Sequence, residues 1–251
     1  MREVTIRFGG IVALDRVSFD VEAGSIVGLI GPNGAGKTTM FNVVTRVYRP
    51  GAGDILFEGN SLLGERPHNI IRLGIARTFQ NVELFPRMSV IENVMVGLHS
   101  QTHAPGYMLG SALGLGGRSE RAARDRAGEA LELVGIAKLA ERPVFGLPYG
   151  TLKAIELARA IASRPRLLLL DEPAGGLNHE EVQQLAGRLR RLHQELELTT
   201  LVVEHHMGLV MRISDKVVVL DFGRKIAEGT PREVQGDPRV VEAYLGAAGA
   251  A

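Results

Sequence analysis

Apolar residues recur along this chain in two periods, and each period predicts a kind of element. Ser25-Ile26-Val27-Gly28-Leu29-Ile30, Leu167-Leu168-Leu169-Leu170 and the run from Thr199 to Val203 are short and almost wholly apolar. Such runs suit parallel strands buried on both faces, and Ile75-Ala76-Arg77-Thr78-Phe79 reads as another strand. Helical spacing follows in between: Met40, Phe41, Val43, Val44 and Val47 precede Pro50, and Val182, Leu185, Leu189 and Leu192 follow the cap Asn178-His179-Glu180-Glu181. Ser119 to Val134 predicts a helix with Ala127, Ala130, Leu131 and Val134 inward and Gly135 at its end; Leu152 to Ser163 predicts one more. Pro67 opens a helix through Ile70, Ile71 and Leu73 that Gly74 stops, while Ser89-Val90-Ile91-Glu92 and Thr230-Pro231-Arg232-Glu233 are helix starts.

Alternating patterns mark antiparallel strands instead. Residues 3–8 and 13–21 form two, with Val17, Phe19 and Val21 interleaved by Ser18 and Asp20. Ile55, Leu56 and Phe57 make a short strand between Gly53 and Gly59, and Lys216 to Leu220 and Lys225 to Glu228 read as a hairpin. From Leu98 to Gly117 the chain is glycine-rich and apolar with no steady period, a loop or a surface for another protein.

The segment joining the first buried strand to its helix carries the chemistry. Gly31-Pro32-Asn33-Gly34-Ala35-Gly36-Lys37-Thr38, then Thr39, fits the phosphate-cradling pattern in its required strand–turn–helix setting. Asn33, Gly34, Ala35 and Gly36 bring successive amides onto one anion at the positive end of a helix. Lys37 is expected to reach the β- and γ-phosphates of a nucleotide, Thr38 to coordinate Mg²⁺, and Thr39 to bond the α-phosphate.

Bulk properties narrow the class. A length of 251 residues suits one large domain or a core with an insertion. Net charge is +1, from 29 basic and 28 acidic residues, so no global field draws the chain to nucleic acid or anionic lipid. There is no cysteine, which excludes disulfides and thiolate metal sites and fits a reducing compartment. The opening Met1-Arg2-Glu3-Val4 has no apolar signal core, and no segment approaches the roughly 20 apolar residues of a spanning helix. A membrane role is therefore expected to run through a partner.

Other polar residues sit where apolar strands end, the edge at which open α/β sheets bind ligands: Gln80, Asp171-Glu172 and His205. A carboxylate pair closing a four-leucine strand is hard to explain structurally, since burying charge without a partner costs several kcal/mol, so Asp171 is expected on Mg²⁺ and Glu172 at the γ-phosphate, polarising water. Gln80 and His205, taken alone, read equally well as polar residues satisfied at a strand end. Phe8, before Gly9-Gly10, reads as a strand-end core residue or as a platform for a purine ring.

Taken together, Phe8, the phosphate loop, Gln80, Leu147-Pro148-Tyr149-Gly150-Thr151, Leu167 to Glu172, Ala174-Gly175-Gly176-Leu177-Asn178 and His205 resemble the ATP-binding-cassette (ABC) ATPases in order and over nearly the whole chain. The resemblance implies an α/β P-loop NTPase core with a parallel sheet, an N-terminal antiparallel β subdomain and an inserted α-helical subdomain. Residues 1–80 and 158–251 would form the core and 81–157 the helical subdomain. It further implies that Phe8 stacks on adenine, that Gln80 senses Mg²⁺, water and the membrane subunit, and that His205 contacts the γ-phosphate. Glu172 is the implied catalytic carboxylate, and ATP and Mg²⁺ the implied ligands; His206 matches nothing catalytic and is read as a solvated or structural histidine. Arg7-Phe8-Gly9-Gly10, Arg77-Thr78-Phe79-Gln80, Glu204-His205 and Ala243-Tyr244-Leu245-Gly246 look most like the ATPase subunits of branched-chain amino-acid importers. Such a subunit would sit on the cytoplasmic face of the membrane with transmembrane permease subunits, a second ATPase subunit and, indirectly, a solute-binding protein, with no nucleic acid. The competing readings are a soluble cassette ATPase of nucleic-acid repair or translation, which usually carries a coiled-coil insertion or two cassettes, and a small-molecule kinase.

One departure stands out. The family's signature is usually Leu-Ser-Gly-Gly-Gln, but here Pro148 replaces the serine, Tyr149 the first glycine and Thr151 the glutamine. A γ-phosphate held by this stretch would lose a hydroxyl and an N–H, with Gly150 and the following helix N-terminus remaining. Asn178 also stands where aspartate is common. These changes favour a heterodimer, with the weaker ATP site borrowing this chain's signature.

Overall fold

The computed structural model describes residues 1–80, 82–99 and 116–248. Asn81 and residues 100–115 of the glycine-rich stretch fall outside the described residues.

The chain opens with antiparallel strands β1 (Arg2–Phe8) and β2 (Ile11–Val17). Val4, Ile6, Leu14 and Val17 turn one face of this ribbon into the core. The second strand ends at Val17, short of the expected Val21. There the Glu3 amide donates to the Ser18 hydroxyl at 2.7 Å, and Phe19 reaches the core from irregular backbone. β3 (Ile26–Ile30) is buried at every position. α1 (Lys37–Val44) buries Met40, Phe41, Val43 and Val44; Val47, expected on that face, is 57% exposed because the helix has already ended.

The strand expected across Ile55, Leu56 and Phe57 is broken in two. β4 (Ala52–Asp54) adds to β1, whereas β5 (Leu56–Phe57) pairs with β6 (Asn60–Ser61). Asp54 holds the break: its Oδ1 accepts from the Ile55 amide at 2.7 Å and the Ser61 hydroxyl at 2.6 Å. Beyond α2 (Pro67–Ile70) and β7 (Ile75–Arg77), the capping box at Ser89 and Glu92 starts α3 (Val90–Val96) as expected. α3 and α4 (Gly116–Leu133) lean on α5 (Tyr149–Ala162), sharing a core that includes Val94, Ala127, Leu131, Ile155 and Ala158. Asn93 is fully buried there; its side chain accepts from the Phe85 amide and donates to the Phe85 and Ser89 carbonyls.

β8 (Leu167–Asp171), α6 (His179–Leu196) and β9 (Thr199–Val203) follow, α6 with its capping box at Asn178 and Glu181. α7 (Met207–Ile213) has too few residues to announce itself by periodicity. The hairpin β10 (Lys216–Asp221) and β11 (Arg224–Gly229), then α8 (Pro231–Gln235) and α9 (Pro238–Ala248), complete the chain. The main sheet runs β11-β10-β3-β9-β8-β7, parallel throughout except for β11. Its order sets the carboxyl ends of β3, β9, β8 and β7 side by side, which is where ligands bind in such sheets.

Candidate functional site

The phosphate loop leaves β3 through Gly31, whose φ of 152° and surroundings admit no other residue: a Cβ there would lie 2.1 Å from the Leu220 carbonyl oxygen. Gly36, at φ 100°, is as confined, with a Cβ position 2.6 Å from the Ala13 carbonyl oxygen. Gly36 is also the N-cap of α1 and supplies no side-chain acceptor, so the first amides of the helix remain available to an anion. Asn33, Gly34 and Thr38 are exposed, Thr39 is half-buried and Ala35 is buried behind the turn. Lys37 folds back over the loop, its Nζ donating to the carbonyls of Gly31 at 2.7 Å and Pro32 at 2.8 Å. Burial pushes its ammonium below the usual lysine range, an effect that the Glu172 charge opposes. A phosphate placed beside Lys37 would give that cation the strong anionic acceptor it lacks in the loop.

Across the strand ends, Glu172 collects two of the other expected residues. Its Oε2 accepts from Gln80 Nε2 at 2.7 Å, and His205 Nδ1 lies 3.8 Å from the same oxygen. Glu172 has a left-handed φ of 46°, a backbone state that non-glycine residues keep only where surroundings enforce it. Gln80 and His205 thus meet at the carboxylate, although the sequence around either alone fits a polar residue satisfied at a strand end equally well. Asp171, one residue earlier, is 3% exposed and its Oδ2 pairs with Arg77 Nη2 at 2.6 Å.

Thr38, Asp171 and Gln80 offer hydroxyl, carboxylate and amide oxygens, the hard donors Mg²⁺ prefers. Among the described residues no group of three His, Cys, Asp or Glu could hold a metal. A cation here would therefore complete its shell with phosphate oxygens and water, the usual manner of Mg²⁺ at nucleotide sites. The donor set fits.

Phe8 and Gly150 lie apart from this cluster. Phe8 is 44% exposed at the end of β1 and meets Tyr48 edge-on at 5.0 Å, so it is not a core residue and has a face open for stacking. Pro148 is the N-cap of α5, and Gly150 in the first turn packs against the Glu181 carboxylate. The Tyr149 ring fills the space over Gly176, where a Cβ would come within 2.7 Å of Cε1. His206 proves structural: its Nδ1 accepts from the Leu209 amide at 3.3 Å and caps α7.

Three residues with no role assigned from sequence join the site. Arg77 reaches Asp171 and Asn42 Oδ1 while its guanidinium lies over Phe41 and Phe79. Lys153 on α5 donates to the Gln80 carbonyl at 2.9 Å. Glu204, fully buried, accepts from the Ala174 amide at 2.6 Å. Arg77 stands opposite Leu169, two residues before Asp171 on the same face of β8, a register that no signal in the sequence gives.

A family model described as ABC transporter matches residues 14–175, and one described as branched-chain amino acid ATP-binding cassette transporter matches residues 224–250. The chain is 43% identical to the high-affinity branched-chain amino acid transport ATP-binding protein BraF of Pseudomonas aeruginosa, over 98% of this chain and 96% of that one. It is 41% identical to the corresponding protein LivG of Escherichia coli, over 97% of this chain and 95% of that one. Among solved structures, a nucleotide-free ATP-binding cassette from an ABC transporter superposes with a TM-score of 0.84 at 30% identity, covering 97% of this chain and 96% of the other. The ADP conformation of an ABC transporter cassette also gives 0.84, at 29% identity over 98% and 97%. With motif order, sheet order and relatives in agreement, this chain belongs to the ATPases of the ABC transporter family.

Proposed function

We propose that this chain hydrolyses ATP to drive an importer of branched-chain amino acids, acting on the cytoplasmic face of the membrane through separate permease subunits. The observation that carries the reading is the meeting of Gln80 and His205 at Glu172, beside the phosphate loop, in a chain whose full-length relatives are named for that transport. Relatives of this kind do not favour a soluble repair or translation ATPase.

In this reading Lys37 leaves the Gly31 and Pro32 carbonyls for the β- and γ-phosphates, while Asn33, Gly34, Ala35 and Gly36 cradle them with main-chain amides. Phe8 stacks on adenine and Thr39 bonds the α-phosphate. Thr38, Asp171 and Gln80 hold Mg²⁺, which when bound neutralises charge on the phosphate oxygens. Glu172 releases Gln80 and orients the attacking water, accepting its proton, and His205 donates to the γ-phosphate.

Residues 1–80 and 158–251 serve as the nucleotide-binding core and 81–157 as a helical subdomain facing the permease. Support comes from a cavity of about 600 Å³ whose lining includes Arg77, Arg159, Phe79, Phe85 and Val96, the last three 47%, 50% and 37% exposed. A permease segment docking there would touch Phe79, one residue from Gln80. Because Pro148 and Tyr149 leave the signature without a serine hydroxyl, the chain works with a second, serine-bearing ATPase subunit as a heterodimer, and a solute-binding protein acts upstream.

The test is the reconstituted transporter in liposomes. Glu172→Gln is expected to keep ATP affinity and slow turnover at least 100-fold, about 2.7 kcal/mol or more of barrier. Amino-acid uptake should fall in step, and cross-links to the permease should map between 79 and 157. Unchanged turnover in the variant, or uptake limited to some other solute class, would refute the corresponding half of the reading. Full ATPase activity from this chain alone would refute the heterodimer.

A further inference from the structure

The carboxylate of Glu204 is fully buried, and its hydrogen bonds join the two loops that carry Glu172 and His205. Glu204 follows β9 directly and is 0% exposed. Its Oε1 accepts from the Ala174 amide at 2.6 Å; its Oε2 accepts from the amides of His205 and His206, both at 3.0 Å. A carboxylate taken wholly out of water needs such donors, and here all three are main-chain N–H groups of residues beside the site.

The two ends of this link have separate work. On one side, Ala174 lies within the turn that begins at Glu172 and is closed by the Gly175 amide donating to the Glu172 carbonyl at 3.0 Å; Glu172 itself sits at φ 46° with its amide donating to the Val203 carbonyl at 2.9 Å. The left-handed backbone at Glu172 is held by the Val203 bond before it and, after it, by the Gly175–Glu172 and Ala174–Glu204 bonds. On the other side, two successive amides on one oxygen fix the direction in which the chain leaves β9, and so where His205 projects. His205 Nδ1 stands 3.8 Å from the Glu172 carboxylate.

We propose that Glu204 is a positioning residue that holds the Glu172 turn and the His205 turn in a single register. It acts through main-chain amides and touches no substrate. The proposal rests on the reading of Glu172 and His205 given above. Glutamine tests it sharply, because it keeps the volume but replaces one acceptor oxygen with a donor NH₂. Whichever way the amide faces, either Ala174 or the His205–His206 pair loses its acceptor, so both turns cannot be held at once.

The experiment compares Glu204→Gln, Glu172→Gln and the parent in the assembled transporter, measuring kcat and KM for ATP and amide hydrogen exchange. Expected for Glu204→Gln is a fall in kcat of about tenfold or more with KM within about threefold. Exchange should quicken at 172–175 and 204–207 while the phosphate loop and α1 stay as in the parent. Glu204→Asp keeps the charge and both oxygens but is one methylene shorter. It should give the same split to a smaller degree, and it carries the test if the glutamine variant does not fold. Normal turnover in both Glu204 variants while Glu172→Gln is inactive would overturn the proposal and leave the ATPase reading intact. Parallel losses in kcat and KM with faster exchange throughout would also overturn it, since that is the mark of general destabilisation. Full turnover in Glu172→Gln would instead overturn the reading beneath it, and the proposal with it.

Discussion

Replacing Arg77 by methionine keeps most of the apolar stem and removes the cation that faces Asp171. The ion pair is 2.6 Å long, with side chains only 12% and 3% exposed, so water cannot take the place of the lost guanidinium. Breaking a buried pair by deleting one partner costs about 3–5 kcal/mol, chiefly because the remaining charge is stranded. The Asn42 bond at 2.7 Å is lost as well, but it is partly exposed and adds less. For a domain of this size that loss corresponds to a fall in Tm of roughly 6–20 °C. Scanning calorimetry of the parent, Arg77→Met, Asp171→Asn and the double variant closes a cycle. Because Asp171→Asn removes the stranded charge, the double variant should be more stable than the sum of the single losses predicts, by about 1.5 kcal/mol or more. Additivity within about 0.5 kcal/mol would refute the reasoning, since it would mean that the two charges are already screened from each other.

Lys37→Ala should abolish most MgATP binding in equilibrium titration, because the cation that now rests on the Gly31 and Pro32 carbonyls is the one that would face the phosphates. Glu156 is 2% exposed; burial raises its carboxyl above the usual range, against the pull of Lys153 and Arg159. The folded state therefore holds that proton after the unfolded chain has released it, so stability falls as pH rises from the unfolded value through the folded one. Tm measured against pH should show the difference between Glu156→Gln and the parent moving in favour of glutamine as pH climbs above about 4.5, and a flat difference would count against it. Asn93→Ala, which takes the side-chain acceptor from the Phe85 amide and empties a fully buried site, should cost about 1–3 kcal/mol in urea unfolding without changing ATP affinity.

Much of this protein is determined within a few residues of chain. The capping boxes at Ser89, Asn178 and Thr230 all form as read, because such a box closes within one helical turn and needs nothing from the rest of the fold. The phosphate loop was legible for the same reason: its glycines, lysine and threonines lie together in sequence, between a strand and a helix that their own periodicity declares. Local pattern failed at two places. Asp54 split one expected strand in two, and Val47 lost its helix to an early end.

The strand order was settled at a longer range. Gln80 lies 92 residues from Glu172, Arg77 lies 94 from Asp171 and Glu204 lies 30 from Ala174, and each pair bonds across strand ends. No period or motif encodes which carboxylate an arginine will find. That follows from β7, β8 and β9 lying next to one another in a fixed register, which only the packed sheet decides. The sequence therefore determines which residues are candidates for the chemistry, and the tertiary structure determines which residues hold the others in place, because a hydrogen bond requires a donor and an acceptor to meet in space, however far apart they stand along the chain.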